Sequence, residues 1–502
     1  MRDLVGLYLT AALVLAAQQI GERDAFRLLQ RATFGPVRAE VEKVSTAGYA
    51  AWIDEQLREK PSDMPGYLDE KPLEWAQDYF FQNALQGKDQ LRQRMVLALH
   101  KIFVVSGAAV GSADAYLPYW RVLNKNAFGN YLDLMREVTL NPAMGIYLDM
   151  LNNDRAEPGS GKFPNENYAR ELLQLFTIGL VRLNPDGSAR LDETGAPIPA
   201  YTEKDVKEFA RSFTGWTYAP PAGKAVQPRN DVRYEVPMAA YQANHDTGEK
   251  TLLNGVILPA GQTAERDLEA ALTNIFEHEN VAPFMARSLI QQFVTSNPSP
   301  AYIRRVAAVF NDNGAGIRGD LAAVVRAILL DADALSVAGR TGGYLSEPAL
   351  YVLRLMRMIG GKVEDHPFLA DEATNIGQKI LYAPSVFSYF SPFYRVPGTS
   401  LTGPEFQTLT SETSLGRVNF AARLLGGHFG KDVVVDKDRF LRVAFDVDQL
   451  MTLVDRELMG GGMPISLYDY VRRGVSAETA PADRVAAALY LTAISPQFQV
   501  IE

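Results

Sequence analysis

The 502-residue chain contains no cysteine, which excludes disulfides, thiolate metal sites and cysteine nucleophiles together. That suits a protein folding in an oxidising compartment, and is also compatible with a cytosolic one. Histidine is scarce: His100, His245, His278, His366 and His428 are all there are. Metal phosphohydrolases that use a His-Asp pair need several further histidines. His278-Glu279 begins like a zinc-protease helix, but position 282 is alanine instead of the second histidine. A nucleophile elbow, a phosphate loop and a dinucleotide fingerprint are likewise missing. "MGGGMP" at 459–464 lacks the Lys-Ser/Thr and the preceding strand of a phosphate loop. The net charge is −9 with no Lys/Arg block, so nucleic acid is excluded as an expected partner. Beyond residue 17 no uncharged run reaches the roughly 20 residues of a membrane span, so the mature chain is expected to have no span.

What is present begins with Arg2 and the uncharged run "LVGLYLTAALVLAA" at 4–17, followed by a small-x-small cleavage possibility at Val14 and Ala16. This has the length of a secretory h-region. Residues 1–20 are expected to be a signal peptide and the protein periplasmic or secreted; the alternative is an N-terminal amphipathic or buried helix. Hydrophobic residues make up 47% and charged residues 22%, an ordinary globular balance that allows one large core or two to three smaller ones.

Helical periodicity dominates. "RDAFRLLQRATFG" carries Phe26, Leu28, Leu29 and Ala32 on one side and stops at Gly35-Pro36, while "DQLRQRMVLALHKIFVVS" turns almost wholly apolar after Met95, as a central buried helix does. Residues 127–153 read as two helices broken at Asn141-Pro142. Further helices are predicted at 264–276, 282–295, 300–311, 321–330, 348–359, 411–424, 447–458 and 481–492, three of them opening on proline, which suits the first helical turn. Between 181 and 256 the pattern breaks: Asp186-Gly187 marks a hairpin, followed by polar, aromatic, turn-rich sequence. The expected fold is mainly α, a large multi-helix body with a small β-hairpin-containing insertion in the middle: a helical half at 21–180, the insertion at 181–262 and a second helical half at 263–502, packed as one compact unit.

The densest polar stretch is "NENYARELLQLFTIGL" at 165–180. On a helical wheel Glu166, Asn167, Arg170, Glu171, Gln174 and Thr177 share one half, and Tyr168, Ala169, Leu172, Leu175 and Phe176 the other. By itself this describes a solvated face with an ordinary Glu166–Arg170 pair. In "YTEKDVKEFARSFTGWTY" Thr202 and Asp205 form a capping box and Gly215 suits a left-handed helix end. "NHDTGEKTLLNG" sets His245, Asp246 and Lys250 around a turn, a base, an orienting carboxylate and a cation if they converge. "APSVFSYFSPFYRVPG" packs Phe387, Tyr389, Phe390, Phe393 and Tyr394 between prolines, suited to holding sugars or apolar polymers or to pinning a loop onto helices.

Taken in order, "LLQRATFGP", "NPAMGIYLD", "NENYARELLQLFTIG", "YTEKDVKEFARSFTGW", "HDTGEKTLLNG", "VAPFMARSLIQQFV", "PSVFSYFSPFY" and "SPQFQV" resemble the bacterial family catalogued as domain of unknown function 1800, over about residue 25 to the C-terminus. The resemblance implies export, and a sulfatase/phosphatase-like exported protein as a genomic neighbour and possible partner; it implies no reaction, cofactor or metal. Its motif residues surround the irregular middle. The expectation is one cleft in which Glu166, Glu171, His245 and Asp246 act as acid/base or metal-ligand candidates, while Asn167, Arg170, Arg211, Trp216 and Lys250 hold substrate. The structural alternative is an ion-pair network of the same residues locking the middle to the helices. Two function classes follow: an exported enzyme acting on an extracytoplasmic polymer or ester, or a non-catalytic assembly, export or binding partner of the sulfatase-like protein.

Overall fold

The computed structural model describes residues 20–62, 64, 72–336, 342–363, 368–429 and 433–502. The signal-peptide expectation falls on residues 1–20, of which 1–19 lie outside the described residues. The chain is mainly α-helical, and among the described residues the strands are two residues long and form two-stranded antiparallel pairs. Among the described residues no helix is long and apolar enough to cross a membrane.

The helix Gln90–Ile102 runs through the centre, and all but one of its side chains are buried. Its N-cap residue, Asp89, has a buried carboxylate that accepts from the Ser62 N–H at 2.9 Å and from Gln93 Nε2 at 2.8 Å, tying the helix start to the preceding loop. Around it pack Glu22–Ala32, Tyr49–Arg58, Glu74–Gln86, Ala113–Asn126 and Val281–Phe293. Each fully buried Leu, Val, Met or Ile contributes about 1.5–3 kcal/mol, against about 0.3–0.5 kcal/mol for an exposed i,i+4 ion pair. Core packing therefore sets this arrangement. Helices Pro300–Asn311, Pro348–Met358 and Pro481–Ala493 do open on proline at their first turn, and Tyr131–Thr139 and Pro142–Tyr147 are separated at Asn141, whose side chain caps the second.

The closing segment returns to the body. Val500–Ile501 pairs with Tyr344–Leu345, and the buried Arg354 guanidinium donates to the Phe498 carbonyl while stacking 4.2 Å from the Phe498 ring centroid. Within 181–200 isolated bridges join Val181 to Pro199, Leu183 to Ala189 and Leu191 to Pro197, and Gly187 takes φ 75° at the tip of the first turn.

The stretch at 165–180 departs from one continuous α-helix. An α-helical turn and a half, Asn167–Glu171, passes into a π-helix, Leu172–Thr177. The wider turn shifts the facing of the residues after Glu171. Thr177, expected on the polar half, is fully buried and donates to the Leu172 carbonyl at 2.5 Å. Gln174 and Leu175 are turned toward the aromatic loop instead of solvent.

Candidate functional site: an aromatic-walled acid pocket

The residues singled out between 165 and 250 cluster around the helix Glu203–Ser212, in two groups. In the first, Arg170 bridges Glu166 at 2.9 Å and Glu203 at 2.7 and 2.8 Å, while the Asn167 amide donates to Asp149 at 3.2 Å. In the second, Arg211 grips Asp246 through two bonds of 2.9 and 3.0 Å and Glu208 at 2.7 Å. Glu166, Arg211 and Asp246 line one open cleft of about 490 Å³ together with Lys207 and Glu208. In it, Glu166, Glu208, Arg211 and Asp246 are each paired with an opposite charge of the protein. The Thr202–Asp205 capping box starts the helix.

His245 and Lys250 lie beneath that cleft, fully buried. The His245 ring nitrogens sit 3.0 Å from the Thr214 carbonyl and 3.0 Å from Asp267 Oδ2, so neither is free to take a proton from a substrate. Lys250 Nζ donates to Asp267 at 2.6 Å, to the Gly248 carbonyl at 3.0 Å and to the Asp246 carbonyl. Gln262 closes the other carboxylate oxygen of Asp267 at 2.7 Å. Asp267, absent from the sequence reading, is thus the hub of the loop, its carboxyl held below the usual carboxylate range by hydrogen bonds and charge from His245 and Lys250 that outweigh burial. Gly215, at φ 90°, lets His245 approach: a Cβ there would stand 3.0 Å from the His245 backbone nitrogen. Trp216 pairs through its backbone with Ala240 and keeps its ring buried, its indole N–H without a partner among the described residues. Glu171 stands apart from this loop, half-buried beside Tyr147 and Tyr201 and raised above the usual carboxylate range by burial. Among the described residues no group of three or more acidic or histidine side chains is placed to hold a metal ion.

This is the geometry of an ion-pair network tying the middle segment to the helices. Replacing Asp267 with asparagine should leave the buried Lys250 charge uncompensated and cost about 3 kcal/mol. Urea unfolding at pH 7 measures this, and a loss below about 1 kcal/mol would rule out the hub role.

A different set of residues forms a pocket of about 470 Å³. One wall is the helix Val281–Phe293 with the π-turn residue Gln174; the other is the aromatic loop, through Phe387, Phe390 and Phe393. At its base lie Lys101, the first charged residue after the apolar run of the central helix, and Glu405. Glu405 is 4% exposed, and burial pushes its carboxyl up to about 7, opposed by the Lys101 charge. Ser296 Oγ reaches it at 3.4 Å. Lys101 Nζ is held 2.7 Å from Glu347 Oε1, and the other oxygen of Glu347 accepts from Gln378 at 2.7 Å. The two glutamates therefore differ in role: Glu347 is the counter-ion of Lys101, and Glu405 keeps a transferable proton near neutrality.

The aromatic wall is fixed from behind. His100, buried in the central helix, bonds through Nε2 to Tyr389 Oη at 3.0 Å and through Nδ1 to Tyr116 Oη at 3.2 Å. Tyr389 Oη also accepts from the Leu381 N–H at 2.8 Å, and Tyr116 donates to the Val105 carbonyl at 3.0 Å. One arrangement satisfies all four bonds: neutral His100 donating from Nδ1 and accepting at Nε2 from Tyr389. Leu381 and Ser388 are held at φ 69° and 68°, a strained conformation for non-glycine residues that persists only where neighbours over-determine it.

Sequence reading missed Lys101, Glu347 and Glu405. Glu347 precedes a proline at a helix start and reads as a cap, and Glu405 sits in an unpatterned loop. The one available signal was Lys101, a charge set beside a histidine at the end of a buried helix. No curated protein and no solved structure matches the chain. Residues 27–500 match the family model described as Protein of unknown function (DUF1800). The match covers nearly all the described body, including both walls of the acid pocket, and the chain belongs to that family.

Proposed function

We propose that this protein is an exported hydrolase of an extracytoplasmic polymer or ester, with the pocket over Glu405 as its active site. The observation that carries the reading is a lone, buried, protonatable carboxyl at the base of an aromatic-walled cavity, beside an ammonium group with its own counter-ion. Glu405 delivers its proton to the leaving oxygen as the scissile C–O bond breaks. Water adds to the carbon and returns a proton to the Glu405 carboxylate, so one bond to oxygen is lost, one is gained and the acid is restored. Lys101 stabilises the carboxylate in the interval between the two transfers. Activity should fall as pH rises through about 7, where Glu405 loses its proton. The test is release of reducing ends or alcohols from a panel of polysaccharides and aryl esters by the wild type and by Glu405→Gln. Turnover unchanged in the variant would remove Glu405 from the reaction.

The second reading, a non-catalytic partner of a sulfatase/phosphatase-like exported protein, draws on Phe393 and Phe387, exposed by 66% and 37% at the pocket rim. It requires Phe393→Ala to abolish co-purification with that protein while Glu405→Gln leaves it intact. Export rests on the uncharged run at 4–17. Cell fractionation with N-terminal sequencing tests it, and a cytoplasmic chain retaining Met1 would overturn it.

A further inference from the structure

The polar atoms of the pocket discriminate among ligands. Gln292 lines the pocket but its amide oxygen is buried beneath the surface, without a hydrogen-bond partner among the described residues. Gln291 donates one N–H to the Ser296 carbonyl at 3.0 Å and keeps its second N–H and its amide oxygen. The Gln174 side chain makes no hydrogen bond among the described residues. The open groups are the Gln174 and Gln291 amides, which both donate and accept, a match for hydroxyls that an acyl chain does not offer. An anion could accept from the N–H groups but would leave the amide oxygens unmet. Of the cations at hand, Lys101 is already paired with Glu347, and Arg287 is engaged by the Gly187 carbonyl beside Asp186. Against the amides stand Phe387, Phe390 and Phe393, faces suited to the C–H side of a ring that carries hydroxyls on its edge. Because Phe393, in the aromatic wall, is itself exposed to solvent, a ligand longer than the pocket can extend over it.

We propose that the pocket binds a neutral oligosaccharide chain, hydroxyls on the glutamine amides and sugar faces on the phenylalanine rings; this rests on the reading of the pocket as the active site. The full chain carrying Glu405→Gln is titrated calorimetrically with cellotetraose, maltotetraose, chitotetraose, tetragalacturonate and octanoate, so that binding is read without turnover. At least one of the three neutral tetrasaccharides should bind, and Phe393→Ala and Gln174→Ala should each weaken it by about tenfold, the loss of one stacked ring or one buried hydrogen-bond pair. Failure of all three neutral probes overturns the proposal, as does neutral binding that neither substitution weakens. Binding of tetragalacturonate or octanoate alone overturns it in favour of an anionic or acyl ligand. The two proposals fail separately: wild-type ester hydrolysis without saccharide binding removes only the oligosaccharide, and saccharide binding without turnover removes only the hydrolase.

Discussion

Glu405→Gln should lower turnover by about 10²–10⁴-fold, the usual contribution of a positioned acid, while making the protein more stable at pH 8. The two effects have one cause. In the unfolded chain this carboxyl loses its proton near 4.5; in the fold it keeps it to about 7. Between those values the folded state holds more protons, so stability declines as pH rises through the window and levels off above it. The total is about 3 kcal/mol. Glutamine fills almost the same space and never ionises. The variant should therefore match the wild type near pH 4.5 and exceed it by up to that amount at pH 8, as measured by chemical denaturation across pH. A residue kept for packing alone would lose stability on substitution at every pH. Greater stability with lost turnover is the pattern of a group retained for chemistry.

His100 should show the opposite slope. It takes a proton near 6.5 when unfolded but is depressed to about 3 in the fold by complete burial, with the neighbouring Lys101 charge acting the same way. Below 6.5 the unfolded chain binds a proton that the folded state refuses, so stability is lost as pH falls through this range, by roughly 5 kcal/mol at pH 3. The bonding explains the refusal: a protonated ring would donate from Nε2 to Tyr389 Oη, which already accepts from Leu381, and would strand the tyrosine proton. His100→Phe should cost about 1–3 kcal/mol at pH 8, where Tyr389 loses its acceptor, but should remove this acid-dependent loss. Glu405 gains stability on acidification over part of the same window, so the quantity to measure is the difference between wild type and variant at each pH. A constant difference from pH 8 to pH 4 would disprove the assignment. A difference that shrinks and reverses would support it, and the aromatic wall of the pocket should detach in the acid-weakened wild type.

The helices were legible because their burial is one-sided or complete and repeats at the helical period. Residues 264–276, 300–311 and 321–330 could be bounded from caps, prolines and apolar spacing, and Ala264–Phe276, Pro300–Asn311 and Leu321–Leu330 have those bounds in the structure. Residues 38–47, 49–58 and 465–477 escaped, although Arg38–Ala47, Tyr49–Arg58 and Ile465–Ala477 are helical. Each of these buries only two or three side chains, so the apolar stripe is too thin to read. Glu74–Gln86 and Ala113–Asn126 escaped as well although they bury six and nine, because Gln77, Asn124 and Asn126 are among the buried side chains and Pro118 interrupts the second.

For the site, local sequence identified polar density and not its use. Glu166, Arg170, Arg211, Asp246 and Lys250 were conspicuous because charges lie close in sequence, yet closeness in sequence is also what makes an ion-pair network. Lys101 is more than two hundred positions from Glu347 and Glu405, which are themselves on separate segments. What joins them is the packing of the central helix against the aromatic loop, and what gives Glu405 its proton is desolvation, a property of the finished interior. The sequence by itself determined the helical class, the family, the absence of thiol chemistry and the capping of individual helices, since composition, periodicity and hydrogen bonding within a few residues decide these. Only the tertiary structure decided which acid is buried without a counter-ion of its own, because burial and counter-charge are set by segments the chain brings together from far apart.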